Sequence, residues 1–135
     1  MIASRSVRGA VVVTVALVAA RAFASDLDAL KDTTPKERAT VQTMMMKEKL
    51  GLTDGEVPQV AAINEKYAQQ MDPVIKGSQG MLMKMRAMKQ VEQQKEGELQ
   101  KVLTPEQFQK FLAAKGEMRD QLMDRIKQQR GAKTP

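Results

Sequence analysis

The chain has 135 residues, 22 basic and 16 acidic side chains and a formal net charge of +6, with no cysteine or histidine. Those two absences exclude thiolate and imidazole catalysis, disulfide staples and the usual zinc ligands. This length supports one compact domain at most.

Residues 1–24 read as a cleavable export signal. Arg5 and Arg8 form a positive start, residues 9–20 are rich in Val and Ala, and Ala22-Phe23-Ala24 supplies small residues at the positions a signal peptidase reads. Cleavage is expected after Ala24. The apolar stretch falls short of the ~20 residues that span a bilayer as a helix, and Arg21 also opposes a lasting anchor. No lipobox cysteine is present, so the periplasm is the expected location. Loss of Arg5, Arg8 and Arg21 would lower the net charge to +3. That is too weak a charge to suggest a nucleic-acid partner.

Residues 25–33, with Asp26, Asp28 and Asp32, read as a flexible acidic lead, and 34–129 as the helical domain. Thr34-Pro35 with Glu37 has the form of a capping box and starts a first helix, which Gly51 ends. A second helix follows Thr53, with Glu56 at the box position and Val57, Val60, Ile63, Tyr67, Met71 and Val74 at steps of three and four. Pro73 is expected to kink or end it. Gly77, Ser78 and Gly80 mark a turn. A third helix over 79–102 carries Met81, Met85, Met88, Val91 or Glu92, Lys95, Leu99 and Val102 on one face. The fourth opens at Thr104-Pro105 and places Phe108, Phe111, Leu112, Met118, Leu122 and Ile126 together. Residues 130–135 read as a flexible tail. No segment alternates with the period of a strand, so the fold class is all-α.

Eleven methionines stand against 3% aromatic residues, so the apolar surface is flexible and adaptable. At about 100° per residue Met81, Met85 and Met88 share an arc of about 60°, while Met83 points away. From residue 76 to 91 there is no acid, and Lys76, Lys84, Arg86 and Lys89 are positive. Such a stripe suits loose holding of unfolded chains, with Met81, Met85 and Met88 as apolar contacts and Lys84, Arg86 and Lys89 as electrostatic ones. The same spacing equally suits the core of a helix bundle. A third reading is soft-metal binding, since thioethers favour Cu(I). Against it, Met44, Met45 and Met46 spread over about 200° of a helix and cannot all face one ion. Carboxylates are scattered beside Lys and Arg, so the chain reads as a non-enzyme without a cofactor.

Leu103-Thr104-Pro105-Glu106-Gln107 matches the LTxxQ signature of the periplasmic Spy/CpxP-like family, and Leu52-Thr53-Asp54-Gly55-Glu56 resembles an earlier copy of it. The stretch Ala62-Ile63-Asn64-Glu65-Lys66-Tyr67 is also similar to that family, and the likeness covers about residues 40–128. The resemblance implies a four-helix, hairpin-like protein forming an antiparallel, cradle-shaped homodimer. It also implies ATP-independent holding of unfolded or partly folded envelope proteins, or regulation of a stress-sensing kinase through its periplasmic domain. The family motif would then comprise Leu52, Thr53, Glu56, Leu103, Thr104 and Gln107. Glu56 stands where the signature has Gln. The metal-responsive branch of the family uses His-rich or Cys-containing ligand sets, and this chain has neither.

Overall fold

A computed structural model describes residues 23–133. Within them the chain is helical apart from its turns, and the protein is all-α. Residues 23–31 form α1, followed by α2 (Pro35–Leu50), α3 (Glu56–Lys76), α4 (Met81–Val102) and α5 (Pro105–Lys133).

The ends of these helices follow from local chemistry. Thr34 caps α2 through a complete box: the Glu37 N–H donates to Thr34 Oγ1 (3.2 Å), and the Thr34 N–H donates to Glu37 Oε2 (2.8 Å). Gly51 ends α2 at φ 64°, a left-handed conformation that costs a glycine little. Pro58 is the third residue of α3, where its missing N–H has no intrahelical partner to lose. Pro73 sits one turn from the end of α3, and the Gly77 N–H closes that turn on the Pro73 carbonyl (2.9 Å).

The helices run up and down. α3 packs on both α2 and α4, and α5 returns against α2, while α4 and α5 touch little. One continuous apolar cluster joins them, with Met45, Met46, Val60, Ile75, Leu99, Phe111, Met118 and Leu122 among its members. On α3 the buried stripe passes from Tyr67 and Ala68 to Ile75, so the expected Val74 is only half-buried.

Residues 25–31 and 130–133, within segments expected to be flexible, are helical instead. Phe23, Leu27 and Leu30 recur at helical spacing, and Leu27, Ala29 and Leu30 are buried in the common cluster. Asp26 and Asp32 face outward and pair with Lys127 (2.7 Å) and Arg130 (3.0 Å) on α5. Those pairs also hold α5 in helix through Lys133, past the point where a frayed tail is expected. The proposed export signal lies outside the described residues except for its last two, Phe23 and Ala24, which fall in α1. No helix among the described residues is long and apolar enough to cross a membrane.

Candidate functional site: a methionine rim on α4 and the joint that anchors it

The two motif copies meet at one end of the bundle. The Thr104 N–H donates to Gln107 Oε1 (3.0 Å), and the Gln107 N–H donates to Thr104 Oγ1 (3.2 Å), which closes a box at the start of α5. In the earlier copy the Thr53 N–H donates to Glu56 Oε2 (2.9 Å) and the Glu56 N–H to Thr53 Oγ1 (3.3 Å). Gln107 Nε2 then donates to the same Glu56 Oε2 (2.9 Å) and ties the two loops together. The N–H of Thr53 and the amide of Gln107 hold the Glu56 carboxyl below its ordinary range. Leu52 and Leu103 are buried beneath the joint. The glutamate of the first copy thus supplies a charged acceptor to the glutamine of the second. All six motif residues have a packing or hydrogen-bonding task here.

Three cations are buried elsewhere. Arg38, on α2, donates to the carbonyls of Leu30 and Thr33, to the carbonyl of Ala68 and to Asp72 Oδ1 (2.8 Å), so it joins α1, α2 and α3. Burial pushes the Asp72 carboxyl up, but Arg38 and Lys76 outweigh that and hold it below the usual carboxylate range. Lys95 projects from α4 to Gln42 Oε1 on α2 (2.9 Å), and burial pushes its ammonium down against the opposing pull of Glu92 and Glu96. Lys84 is 7% exposed and donates to the Ile75 carbonyl (3.0 Å). That carbonyl lies in the last turn of α3, where no intrahelical donor remains and the helix dipole favours a cation. Lys84 therefore caps α3 and does not face solvent, contrary to the role expected for it.

The remaining five client-contact candidates divide. Arg86 and Lys89 are exposed, as are Met81 and Met85, whereas Met88 is half-buried against the apolar cluster. The inward stripe of α4 runs Lys84, Met88, Val91, Lys95, Leu99, which leaves Met81 and Met85 beside it and not on it. Leu82 and Met83, which the stripe argument passes over, are 61% and 57% exposed. An exposed helix whose polar residues lie on both sides of an apolar side chain gives no periodic signal for such positions. Met81, Leu82, Met83 and Met85 together form an apolar rim at the start of α4.

Methionines 44–46 divide as their helical spread requires. Met45 and Met46 are buried, while Met44 is exposed and lines a groove of about 360 Å³ between α2 and α3 with Ala39, Val57, Ala61, Lys36 and Lys47. Beneath this seam Asn64 donates to Thr43 Oγ1 (2.9 Å) and to the Met46 sulfur (3.5 Å). No three His, Cys, Asp or Glu side chains among the described residues are placed to hold a metal ion.

These features define a small all-α protein with two capped, mutually bonded loops at one end and a thioether-rich rim at the other. Residues 24–111 match the family model described as "Domain of unknown function (DUF4890)", and the chain belongs to that family. No curated protein and no solved structure matches the chain.

Proposed function

We propose that this protein is a periplasmic, ATP-independent holding chaperone for unfolded or aggregation-prone envelope proteins. One observation carries the reading: large apolar side chains stand in solvent at Met44, Met81, Leu82, Met83 and Met85, and four of the five are thioethers. Flexible, polarisable thioethers re-pack around varied side chains, which suits weak binding to many sequences. Arg86 and Lys89 beside them attract acidic stretches of a client. The likeness of Leu103-Thr104-Pro105-Glu106-Gln107 to the LTxxQ signature of Spy/CpxP-like proteins supports the same reading, and with it an antiparallel homodimer.

The test is light scattering of two unrelated aggregating proteins, with and without the purified protein and without nucleotide. Suppression of both is expected, together with its loss in a Met81→Ser, Met85→Ser variant that keeps its helical circular dichroism. Suppression of neither would discard the holding reading.

A further inference from the structure

The outward side of α4 orders its side chains in a pattern that the inward stripe does not explain. At about 100° per residue, Met85, Lys89, Leu82, Arg86 and Met83 follow one another around an arc of about 160°, opposite the buried Lys84. Apolar and cationic chains alternate across that arc. Leu82, Met83 and Met85 are all more than half exposed, and Arg86 and Lys89 pair with no carboxylate among the described residues. Of the acids near this face, Glu92 stands one turn beyond Lys89, and those of α1 and α3 are engaged. Asp72 lies between Arg38 and Lys76, and Asp28, across a narrow seam from Met81, pairs with Lys31. The first turn of α4 carries no acid at all.

We infer that this face of α4 docks on an anionic phospholipid surface. Apolar chains of this length can enter the boundary between headgroups and acyl chains, while the interleaved Arg and Lys extend to the phosphates. Each cation near an anionic surface strengthens binding about fivefold. Two other occupants fit less well. A second copy bound through the same patch would set Arg86 and Lys89 against their own equivalents, because such a two-fold interface is self-complementary in position. A peptide held in one extended conformation needs a groove or a sheet edge to satisfy its backbone, so on this convex, internally hydrogen-bonded helix side unfolded clients make only transient side-chain contacts. This face shares Leu82, Met83, Met85, Arg86 and Lys89 with the holding reading, and the two are told apart by occupant: vesicles here, unfolded polypeptide in the light-scattering test.

The chain has no cysteine, so Met83→Cys provides a single site for an environment-sensitive fluorophore, and Gln109→Cys on α5 a comparison site. The full chain labelled at 83 should shift its emission to shorter wavelength on vesicles of equimolar phosphatidylcholine and phosphatidylglycerol. It should not do so on phosphatidylcholine alone, and the label at 109 should stay unchanged on both. Adding Arg86→Gln with Lys89→Gln should weaken the anionic response about 25-fold, with circular dichroism unaltered. Vesicle capture without a shift at 83 would overturn the inference, because the apolar residues 9–20 would then carry the binding. An equal shift on both lipids, or no shift on the anionic one, would overturn it too. So would a shift with an unfolded acidic polypeptide and none with vesicles, which would return the face to protein clients.

Discussion

The two ends of the bundle are finished in different ways. Where α2 turns into α3 and α4 into α5, Thr53, Glu56, Thr104 and Gln107 satisfy one another, and Leu52 and Leu103 are covered. At the opposite end α1, the turn between α3 and α4, and the last turns of α5 are held by cations: Arg38, Lys84, Lys127 and Arg130. That end leaves Leu82, Met83 and Met85 in solvent. The recurring motif is therefore an architectural joint, and the exposed apolar surface lies at the end the motif does not touch. In this chain the repeated motif reports how the loops are tied, and the surface chemistry has to be read separately.

Arg38→Ala should break the cationic end most severely. It removes a buried guanidinium bonded to the turn after α1, to a carbonyl of α3 and to a carboxylate, and should cost about 3 kcal/mol in urea unfolding. Its pH dependence gives a second readout. The folded Asp72 carboxyl lies below its unfolded value, so its contribution is present above the ordinary carboxylate range and fades as pH falls through the folded value. Between neutrality and about pH 3 the wild-type protein should lose more stability than Arg38→Ala does.

Lys95→Met should act in the opposite direction. A buried ammonium with one neutral acceptor is replaced by an apolar chain of similar length, and Gln42, half-buried, can turn to water. A gain of about 2 kcal/mol is expected. Here the folded pKa lies below the unfolded one, so the unfolded chain binds more protons between the two values and wild-type stability rises with pH there. The advantage of Lys95→Met should accordingly shrink in alkaline buffer. A variant that is less stable than wild type at neutral pH would mean that Lys95 is needed for packing.

How much of this could be read from the residues depended on whether the signal was local. The caps at Thr34, Thr53 and Thr104, the stop at Gly51 and the apolar faces of α3 and α5 were legible, because each depends on neighbours within a turn or two. Residues 25–33 were misread since three aspartates outweigh Leu27 and Leu30 in composition, although those leucines hold the helical spacing that matters. Lys84 looked like a surface cation because nothing near it in sequence shows that the open carbonyl of Ile75 lies within its reach. The Glu56–Gln107 bond was equally hidden: two boxes can be recognised one by one, but their contact exists only once the bundle closes. The methionine stripe divides in the structure. Met88 lies where packing reaches, and Met81 and Met85 lie just outside it.

At the other joint the effect should be smaller. Gln107→Ala removes one half of a capping box and the cross-link to Glu56, and should cost about 1 kcal/mol. Its mark should also appear in acid: without the Gln107 donor the folded Glu56 pKa moves back toward its unfolded value, so Gln107→Ala should lose less stability than wild type as pH falls through the carboxylate range. If Gln107→Ala proves as damaging as Arg38→Ala, the two ends are not distinct in the way the hydrogen bonds suggest.

The smallest stability effect belongs to the rim, and it separates surface from core within two turns of one helix. Met88 packs on the apolar cluster, whereas Met83 makes its largest contact with solvent. Met88→Ser should lower stability by about 1–2 kcal/mol, since it removes buried apolar area and places a hydroxyl against the cluster. Met83→Ser should stay within about 0.5 kcal/mol of wild type, as expected for an exposed site without a cap or a buried partner. Binding should show the reverse order, with Met83→Ser weakening capture of clients or vesicles more than Met88→Ser does at a temperature where both are folded. Equal stability losses at the two positions would mean that a partner covers Met83 in solution, and an antiparallel homodimer whose α4 ends meet would then be the arrangement to examine.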